Sequence, residues 1–428
     1  MGMREMKDSG IEWIGQIPKH WEVHPVYAYF EEGKTKNYRM QEQNLLSLSY
    51  GRIIRKDINT NGGLLPASFN TYNVVEAGDI IIRPTDLQND KRSLRTGLVK
   101  EQGIITSAYI DLRPKDNVNS KYYHYLLHSY DVIKVFYNMG NGVRQGLNFS
   151  EFAKLLLLEP TTVEQQQIAD YLDTQCSEID ATAEDIQKEI SLLEDYKKSV
   201  ITEAVTKGLN PDAEMKDSGI EWIGEVPKHW GTIRIGNAFS IRNERNYLPM
   251  EQVQLLSLYS GKGVFPTGEE GTTNRGNHAQ TVADYKIVKK NDIVVNIILA
   301  WMGSLGISNY NGVVSPAYDV YIPNEEKVVP HYYHYVFRTS GIANECYRYG
   351  RGIMMMRWRT YSSEFKRIHV PFPPLEEQQQ IADFLDSKCS EIDAIIADKK
   401  RQRGILADYK KSLIYEYVTG KKEVPVHE

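Results

Sequence analysis

The sequence predicts an α+β protein in which two mixed α/β domains are separated by a pair of long antiparallel coiled-coil helices, with an internal pseudo-two-fold. Two repeats predict this fold. A motif occurs almost unchanged as MKDSGIEWIGQIPKHW at residues 6–21 and as MKDSGIEWIGEVPKHW at residues 215–230. A second block, QQQIADYL at residues 165–172, returns as QQQIADFL at residues 378–385. The period is about half the chain, which is too long for a solenoid or propeller and indicates two duplicated halves.

The repeats divide the 428 residues into six consecutive segments. A copy of the first motif, a divergent region and a long helix follow one another, and this order is then repeated. We expect the segments to span residues 1–21, 22–160, 161–214, 215–230, 231–373 and 374–428. A two-fold would place the N-terminal motif beside the end of the second helix, near Gly420. The chain termini are therefore expected to be neighbours in space.

The first long helix is predicted from the spacing of its apolar residues. Between Gln165 and Lys207 they recur at steps of three, four and seven, and Gly208 follows as a stop. A helix of this length, about 60 Å, must bury its apolar face on another element. The copy at residues 378–418 is the expected antiparallel partner.

The copy differs from the first helix at one part of its apolar face. Lys399 and Arg403 stand where the first helix has Ile186 and Ile190. Either the pairing is uneven there, or the long basic side chains extend outward to solvent.

Both divergent regions have the same predicted order of elements. Each has a turn followed by an apolar strand, then a second strand, then an aromatic-rich helix. The strands are predicted at residues 76–83 and 104–112 in the first region and 289–296 and 313–322 in the second, and the helices at residues 122–137 and 332–347. The two regions are expected to share one fold and to differ in their surfaces.

Composition indicates a soluble, cytoplasmic protein. No segment approaches the roughly 20 apolar residues of a membrane span, and three cysteines cannot form a disulfide framework. The matched pair Cys176 and Cys389 is expected in the core, and the matched pair His124 and His334 is expected to be packing or capping residues and not metal ligands.

Charge is distributed unevenly along the chain. The net charge is −5 overall, −9 over residues 161–214, +2 over residues 22–160 and +5 over residues 231–373. The divergent regions are mildly basic, and the first helical segment is strongly acidic. Such a distribution bears on partners and not on fold.

No complete catalytic motif is present. Residues 33–35 resemble the end of a phosphate-binding loop, but the required earlier glycine is replaced by Ala28. Residues 364–366 resemble the Glu-x-Lys of some nucleases, but the matching residues 151–153 lack the lysine. We therefore expect a non-catalytic chain that itself binds no metal and no cofactor.

Loops at corresponding places in the two divergent regions are rich in Arg, Lys, Gln, Asn and aromatic residues. Arg and Lys donate to guanine edges or phosphates, and Asn and Gln can pair with adenine. The alternative is that these loops are simply solvated. The candidate DNA-contacting residues are Arg83, Gln88, Asn89, Lys91, Arg92, Arg95, Arg144, Gln145 and Asn148 in the first region, and Asn296, Trp301, Ser304, Arg351, Arg357 and Arg359 in the second.

The paired MKDSGIEWIG and PKHW motifs, the helix starts EQQQIADYLD and EQQQIADFLD, and the junction VTKGLNPDAEMKDSGIEWIG resemble the specificity (S) subunit of type I restriction-modification systems. The resemblance implies two target-recognition domains, each reading one half of a bipartite site in double-stranded DNA. It also implies that the helices act as a ruler and dock two adenine-methyltransferase subunits, which would hold S-adenosylmethionine. It leaves open whether two motor and endonuclease (restriction) subunits join the complex.

The near-identity of the first motif in the two halves fits a joint or docking surface better than a base-reading one. Trp13, Trp21, Trp222 and Trp230 are therefore expected to pack or to contact partner subunits. Two rival functions differ in class. A non-catalytic protein-interaction scaffold would have no DNA role, and a self-contained nuclease or methyltransferase would show metal- or cofactor-dependent activity on its own.

Overall fold

The computed structural model describes residues 4–58, 68–87, 93–139, 146–259, 263–268, 281–353 and 358–425. The chain forms two compact units. The first unit comprises residues 1–187 and 401–428, and the second comprises residues 188–400. Each unit thus holds one motif copy, one divergent region and segments of both long helices. None of the helices within the described ranges is long and apolar enough to cross a membrane.

The first unit begins with a series of short strands and helices. They are β1 (Met6–Asp8), β2 (Gln16–Pro18), β3 (Glu22–Pro25), α1 (Val26–Tyr29), β4 (Phe30–Glu32), β5 (Leu45–Ser49), β6 (Arg52–Lys56), β7 (Asn73–Val75), β8 (Ile80–Ile82), β9 (Thr96–Leu98), β10 (Gly103–Ile105), β11 (Ile110–Pro114), α2 (Ser120–Val132), α3 (Phe149–Phe152) and β12 (Leu156–Glu159). The long helix α4 (Thr162–Lys207) follows.

The second unit repeats this order with one additional helix, which follows the helix that matches α2. Its elements are β13 (Met215–Asp217), β14 (Glu225–Pro227), β15 (Gly231–Arg234), α5 (Ile235–Ala238), β16 (Phe239–Ile241), β17 (Leu256–Tyr259), β18 (Gly263–Pro266), β19 (Lys286–Val288), β20 (Ile293–Asn296), β21 (Leu305–Ile307), β22 (Gly312–Val314), β23 (Tyr318–Pro323), α6 (Pro330–Phe337), α7 (Ser340–Tyr349), α8 (Ser362–Phe365) and β24 (His369–Phe372). The long helix α9 (Leu375–Val418) follows.

The central sheet has the same strand order in both units. It is β4-β11-β8-β9 in the first unit and β16-β23-β20-β21 in the second, with antiparallel neighbours throughout. Even the register matches, because Leu112 lies opposite both Glu32 and Ile80, while Tyr321 lies opposite both Ile241 and Ile293. The prediction of one fold built twice is confirmed.

Two strand predictions were too long. Residues 104–112 form β10 and β11, and residues 313–322 fall in β22 and β23, each pair separated by a turn. In the first unit the hydroxyl oxygen of Thr106 accepts a hydrogen bond from the backbone N–H of Ala108 at 3.3 Å. In the second, Ser315 accepts from the N–H of Ala317 at 3.4 Å. These side-chain bonds to the backbone stabilise a turn inside a largely apolar run.

The two aromatic helices are also shorter than predicted. The helix expected at residues 332–347 is divided into α6 and α7, because the hydroxyl of Thr339 accepts from the N–H of Ile342 and caps a new helix. The helix expected at residues 122–137 ends at Val132 and is followed by a 3₁₀ turn.

Both long helices occur where the sequence predicts them. Helix α4 ends at Lys207, and Gly208 follows with φ +77°, a left-handed conformation that favours glycine. Helix α9 ends two residues before Gly420, whose φ is +69°.

The helices run antiparallel within each unit. In the second unit Lys197 binds Asp393 at 2.6 Å, and Lys399 binds Glu189 at 2.5 Å, so the numbering rises along one helix as it falls along the other. In the first unit Arg403 donates to Gln187. The basic side chains that replace seam isoleucines thus reach polar groups on the neighbouring helix, an arrangement that neither alternative predicted.

The matched cysteines and histidines are packing residues, as predicted. Cys176 and Cys389 are buried in the cores of their units. Burial lowers the pKa of His124 and of His334 to about 3, so both rings are neutral near pH 7.

Candidate nucleic-acid interface and repeated joint

In each unit one candidate loop leaves the central sheet at the carboxyl end of a strand. Strands β4 and β8 both pair antiparallel with β11, so they run in the same direction and their carboxyl ends lie at the same edge. The loop that begins at Arg83 follows β8 directly. In the second unit the loop at residues 297–304 follows β20 in the same way.

Arg83 and Arg95 occupy different environments in the first unit. Arg83 is half-buried, and its guanidinium lies 3.8 Å from the carboxylate of Asp86. Arg95 is fully buried, donates to the hydroxyl of Tyr137 at 3.2 Å and to the carbonyl of Asp86 at 2.9 Å, and also donates to the carbonyl of Thr85. The prediction that Arg95 contacts DNA does not fit this placement. Its buried side chain stabilises the candidate loop through these hydrogen bonds.

Asn148 is exposed and caps helix α3. Its side-chain oxygen accepts from the N–H of Glu151 at 2.9 Å, and Glu151 accepts in return from the N–H of Asn148 at 3.4 Å. This capping box orients the segment that follows the candidate loop. The candidates Gln88, Asn89, Lys91, Arg92, Arg144, Gln145 and Arg357 lie outside the described residues.

The loop after β20 is fixed by its own polar groups. The side-chain oxygen of Asn296 accepts from the N–H groups of Ile298 and Leu299 at 3.0 and 3.3 Å. Trp301 is half-buried and donates its indole N–H to the carbonyl of Ile298 at 3.1 Å. Ser304 is buried, so its predicted contact with DNA does not fit either. Asn296 and Ser304 shape the loop, and Trp301 lies partly at its surface.

Arg351 and Arg359 are the best-placed basic candidates in the second unit. Their backbones pair as an antiparallel bridge with two 2.9 Å hydrogen bonds, and both side chains are exposed. This bridge is anchored on α7, because the ring of Trp358 stacks on Tyr347 at 5.1 Å and its N–H donates to the Tyr347 carbonyl at 2.9 Å. Arg351 also contacts the carboxylate of Glu364 at 3.2 Å.

The two sheets carry different buried charges at matching places. In the second unit the guanidinium of Arg242 binds Asp292 through two hydrogen bonds of 2.7 and 2.9 Å. In the first unit Gly33 stands at the position of Arg242, and a Cβ there would lie 1.8 Å from a carboxylate oxygen of Asp111. The glycine in the phosphate-loop-like segment is therefore required by packing.

The repeated motif forms a joint at the start of each long helix. The indole N–H of Trp21 donates to Glu164 of α4 at 3.3 Å, and that of Trp230 donates to Glu377 of α9 at 2.9 Å. Both rings are buried, at 0% and 1% exposure. The prediction that Trp21 and Trp230 dock a partner is not compatible with this burial, and they act as packing residues.

The same joint receives the end of the other long helix. A Cβ on Gly420 would come within 3.0 Å of the Trp21 ring, and one on Gly208 within 3.1 Å of Trp230. Near the chain ends, Arg4 lies 3.3 Å from the carboxylate of Glu423. The predicted position of the N-terminal motif beside Gly420 is thus confirmed within the first unit.

Buried tyrosines complete the joint in each unit. The hydroxyl of Tyr122 donates to the carbonyl of Val418 at 3.1 Å, and that of Tyr332 donates to the carbonyl of Val205 at 2.8 Å. Each bond satisfies a carbonyl in the last turn of a long helix, where intrahelical partners are missing.

Trp13 and Trp222 remain as surface candidates in the motif. Trp13 is 39% exposed, and its ring packs edge-on against Tyr130. Trp222 is half-buried, covers Gly341 and donates to the carbonyl of His369 at 3.1 Å.

The family model for the type I restriction modification DNA specificity domain matches residues 32–192 and again residues 227–402. The proposed specificity subunit of type I restriction enzyme MjaX from Methanocaldococcus jannaschii is 27% identical over 428 aligned residues, covering 96% of both chains. The MjaVIII specificity subunit of the same organism is 24% identical, covering 76% of this chain and 75% of its own.

Solved structures have the same fold. A chain from a study of complex assembly and conformational transition of the type I R-M system superposes with a TM-score of 0.66 at 13% identity, covering 95% of this chain and 99% of its own. The HsdS subunit from Thermoanaerobacter tengcongensis gives a TM-score of 0.50 at 14% identity, covering 97% and 100%.

Two matches to one DNA specificity domain, on two units with the same sheet, define a protein with two target-recognition domains. The chain belongs to the family of type I restriction-modification specificity subunits, whose function is DNA sequence recognition.

Proposed function

We propose that this chain is the DNA-reading subunit of a type I restriction-modification complex, in which each domain reads one half of a bipartite site. One observation carries this proposal. The two central sheets have the same strand order and register. The loops that leave the corresponding edge of each sheet differ in their residues and in the contacts that anchor them. Two readers with one frame and different loops suit two half-sites of different sequence.

The long helices and the repeated joints would serve the other subunits. Helices of 46 and 44 residues can act as a ruler that sets the unspecified spacer. The two similar joints would dock two adenine-methyltransferase subunits, which bring S-adenosylmethionine and the methyl-transfer chemistry. The chain itself would be non-catalytic.

The proposal is tested by sequencing the methylated adenines of cells that express this chain with its methyltransferase subunit. We expect one bipartite motif whose two halves are separated by a fixed number of unspecified bases. Methylation at a continuous motif, or methylation that does not depend on this chain, would contradict the proposal.

The loop assignment has its own test. Replacing Arg351 and Arg359 by Gln should relax or change the second half-site, at a cost of roughly 1–3 kcal/mol for each lost base contact, and leave the first half-site intact. Arg234, also exposed but on β15 beside the joint, is the matched control. Unchanged motifs in the double variant would remove these two residues from the base-reading set.

The mild basicity of the recognition domains predicts that partner subunits provide many phosphate contacts. The isolated chain should bind its site weakly, and binding should fall steeply with salt. Fluorescence anisotropy with site-containing duplexes measures both properties. Nanomolar binding by the chain alone at physiological salt would be the opposite result.

A further inference from the structure

One short segment outside the candidate loops is built in the same way in both units. Asn37 and Asn246 are buried, at 2% and 3% exposure. Asn37 accepts from the N–H of Glu42 at 3.0 Å and donates to its carbonyl at 2.9 Å. Asn246 accepts from the N–H of Leu248 at 3.1 Å and donates to the carbonyl of Leu248 at 2.9 Å and to that of Val282 at 3.0 Å. A buried amide thus fixes the loop in each unit.

The residue after each asparagine is a tyrosine that points into solvent. Tyr38 is 71% exposed and Tyr247 is 83% exposed. Most tyrosines in this protein are buried or half-buried in the described ranges, and a tyrosine loses favourable burial when it is held at the surface. In both units the loop backbone is fixed by the buried asparagine, while the tyrosine ring is exposed to solvent. This shared arrangement points to a binding role for the tyrosine.

A basic residue precedes each asparagine, and in both units its side chain donates to a backbone carbonyl. Lys36 donates to the carbonyl of Thr71 at 3.2 Å, and Arg245 donates to the carbonyl of Asp284 at 3.0 Å. Residues 33–41, around Tyr38, contain three basic residues and no acidic one, and Glu32, just before them, pairs with Lys34 at 2.7 Å. Each tyrosine is therefore presented beside a cation.

The position of this segment in the fold supports the same role. It follows β4 in the first unit and β16 in the second. These strands run in the same direction as β8 and β20, at matching register. The segment consequently leaves the central sheet at the edge from which the candidate recognition loops leave.

We propose that Tyr38 with Lys36, and Tyr247 with Arg245, bind the sugar-phosphate backbone of DNA beside each half-site. Tyrosine hydroxyls and basic side chains are common donors to phosphate oxygens, and such contacts position a protein without reading sequence. The same tyrosine and cation occur in both domains, although the domains would read different half-sites. Such a shared pair suits the sugar-phosphate backbone, which is the same in every DNA sequence. This inference rests on the proposed function and names a shared positioning contact within it.

The test uses the assembled methyltransferase complex and two single variants, Tyr38→Phe and Tyr247→Phe. Each removes one hydroxyl from an exposed ring, so the fold should persist. We expect roughly fivefold weaker binding to duplexes with and without the site, the effect of one lost hydrogen bond, and an unchanged methylation motif. Tyr27→Phe, on helix α1 before β4 and 57% exposed, is a matched control that should bind like the parent.

A second pair of variants tests the cations. Lys36→Gln and Arg245→Gln should each lower the slope of log affinity against log salt by about one, the value for one lost phosphate contact. Unchanged affinity in the tyrosine variants would overturn the inference. So would a changed motif, which would indicate base reading, or loss of methyltransferase subunits from the complex, which would indicate a protein interface. The proposed function fails separately, if the parent complex methylates no bipartite motif.

Discussion

At the scale of single residues, the first unit buries an unusual group of charges. Asp79 and Asp111 share one guanidinium, that of Arg113, which lies 3.5 Å from the first and 3.9 Å from the second. Neither carboxyl oxygen of Asp111 accepts a hydrogen bond within the described part of the chain. Burial raises the pKa of Asp111 to about 7, and the charge of Asp79 adds to the effect. Below about pH 7 this carboxyl therefore keeps a proton in the folded sheet.

This group predicts a pH dependence of stability with a definite sign. The folded protein keeps a proton on Asp111 that the unfolded chain releases between about pH 4 and pH 7, so the free energy of unfolding contributed by this group falls as pH rises through that window. Asp111→Asn should remove the fall and stabilise the protein by roughly 1–3 kcal/mol at pH 8. Urea unfolding of both proteins from pH 5 to 8 measures the difference. The exposed Asp116→Asn serves as control, and parallel curves for Asp111→Asn and the parent would refute the prediction.

Glu164, in the joint, predicts a change of stability with pH of the opposite sign, in which the free energy of unfolding falls as pH is lowered. Burial alone would raise the pKa of Glu164, but hydrogen bonds from His20, Thr161 and Trp21 together lower it to about 2. Its contribution to stability is therefore present above about pH 4.5 and is lost as pH falls toward 2. Glu164→Gln should destabilise the protein by about 1–2 kcal/mol at pH 7, allowing for partial solvent screening, and by less at pH 3. Thermal melts between pH 3 and pH 7 measure this loss of stability, and the exposed Glu12→Gln is the control. A loss of stability in Glu164→Gln that does not change with pH would contradict the prediction.

The types of residue in the candidate site could be predicted from the sequence, but whether each side chain points inward or toward solvent could not. The sequence places Arg95 and Arg83 in one polar loop, and nothing in the residue pattern reveals that Arg95 turns inward to Tyr137. The motif tryptophans present the same difficulty, since near-identity fits both a joint and a docking surface. The exposed Tyr38 was missed, although the pairing of Lys-Asn-Tyr with Arg-Asn-Tyr at matching positions is visible in the sequence.

At the scale of elements, the long helices were predictable because a 3.6-residue period repeated over many turns has few alternatives. The strands were less predictable. An apolar run such as residues 104–112 does not reveal a turn that depends on one hydroxyl of Thr106. The break before α7 is similar, because a single capping threonine decides where one helix ends and the next begins.

The apolar seam of α4 makes a prediction at this scale. Ile190 is 1% exposed, whereas Leu192, two residues later, is 69% exposed. Ile190→Ala should lower the free energy of unfolding by roughly 2–4 kcal/mol, through lost burial and the cavity left behind. Leu192→Ala should change it by less than about 0.5 kcal/mol. Denaturant unfolding of the two variants compares them, and equal effects would mean that the seam does not bear on stability.

At the scale of the whole molecule, duplication separates two tasks. What the halves share is the frame: the sheet order, the joints at Trp21 and Trp230, and the long helices. Where they differ is in the loops at the sheet edge and in their buried charges. A shared frame suits similar partner subunits on both halves, and different loops suit different DNA sequences.

The boundaries of the first domain make this separation testable. Strands β3 and β12 pair with each other, with Glu22 opposite Glu159, so residues 22–160 begin and end side by side at the joint. A graft of this region from a related specificity subunit would keep that strand pair intact and leave the motif and the long helices unchanged.

The most direct test of the central claim is to make this graft and sequence the methylated adenines of cells that express it with the methyltransferase subunit. We expect one half of the bipartite motif to change to that of the donor, while the other half stays the same. An unchanged motif, or a change in both halves, would contradict the claim that each domain reads its own half-site.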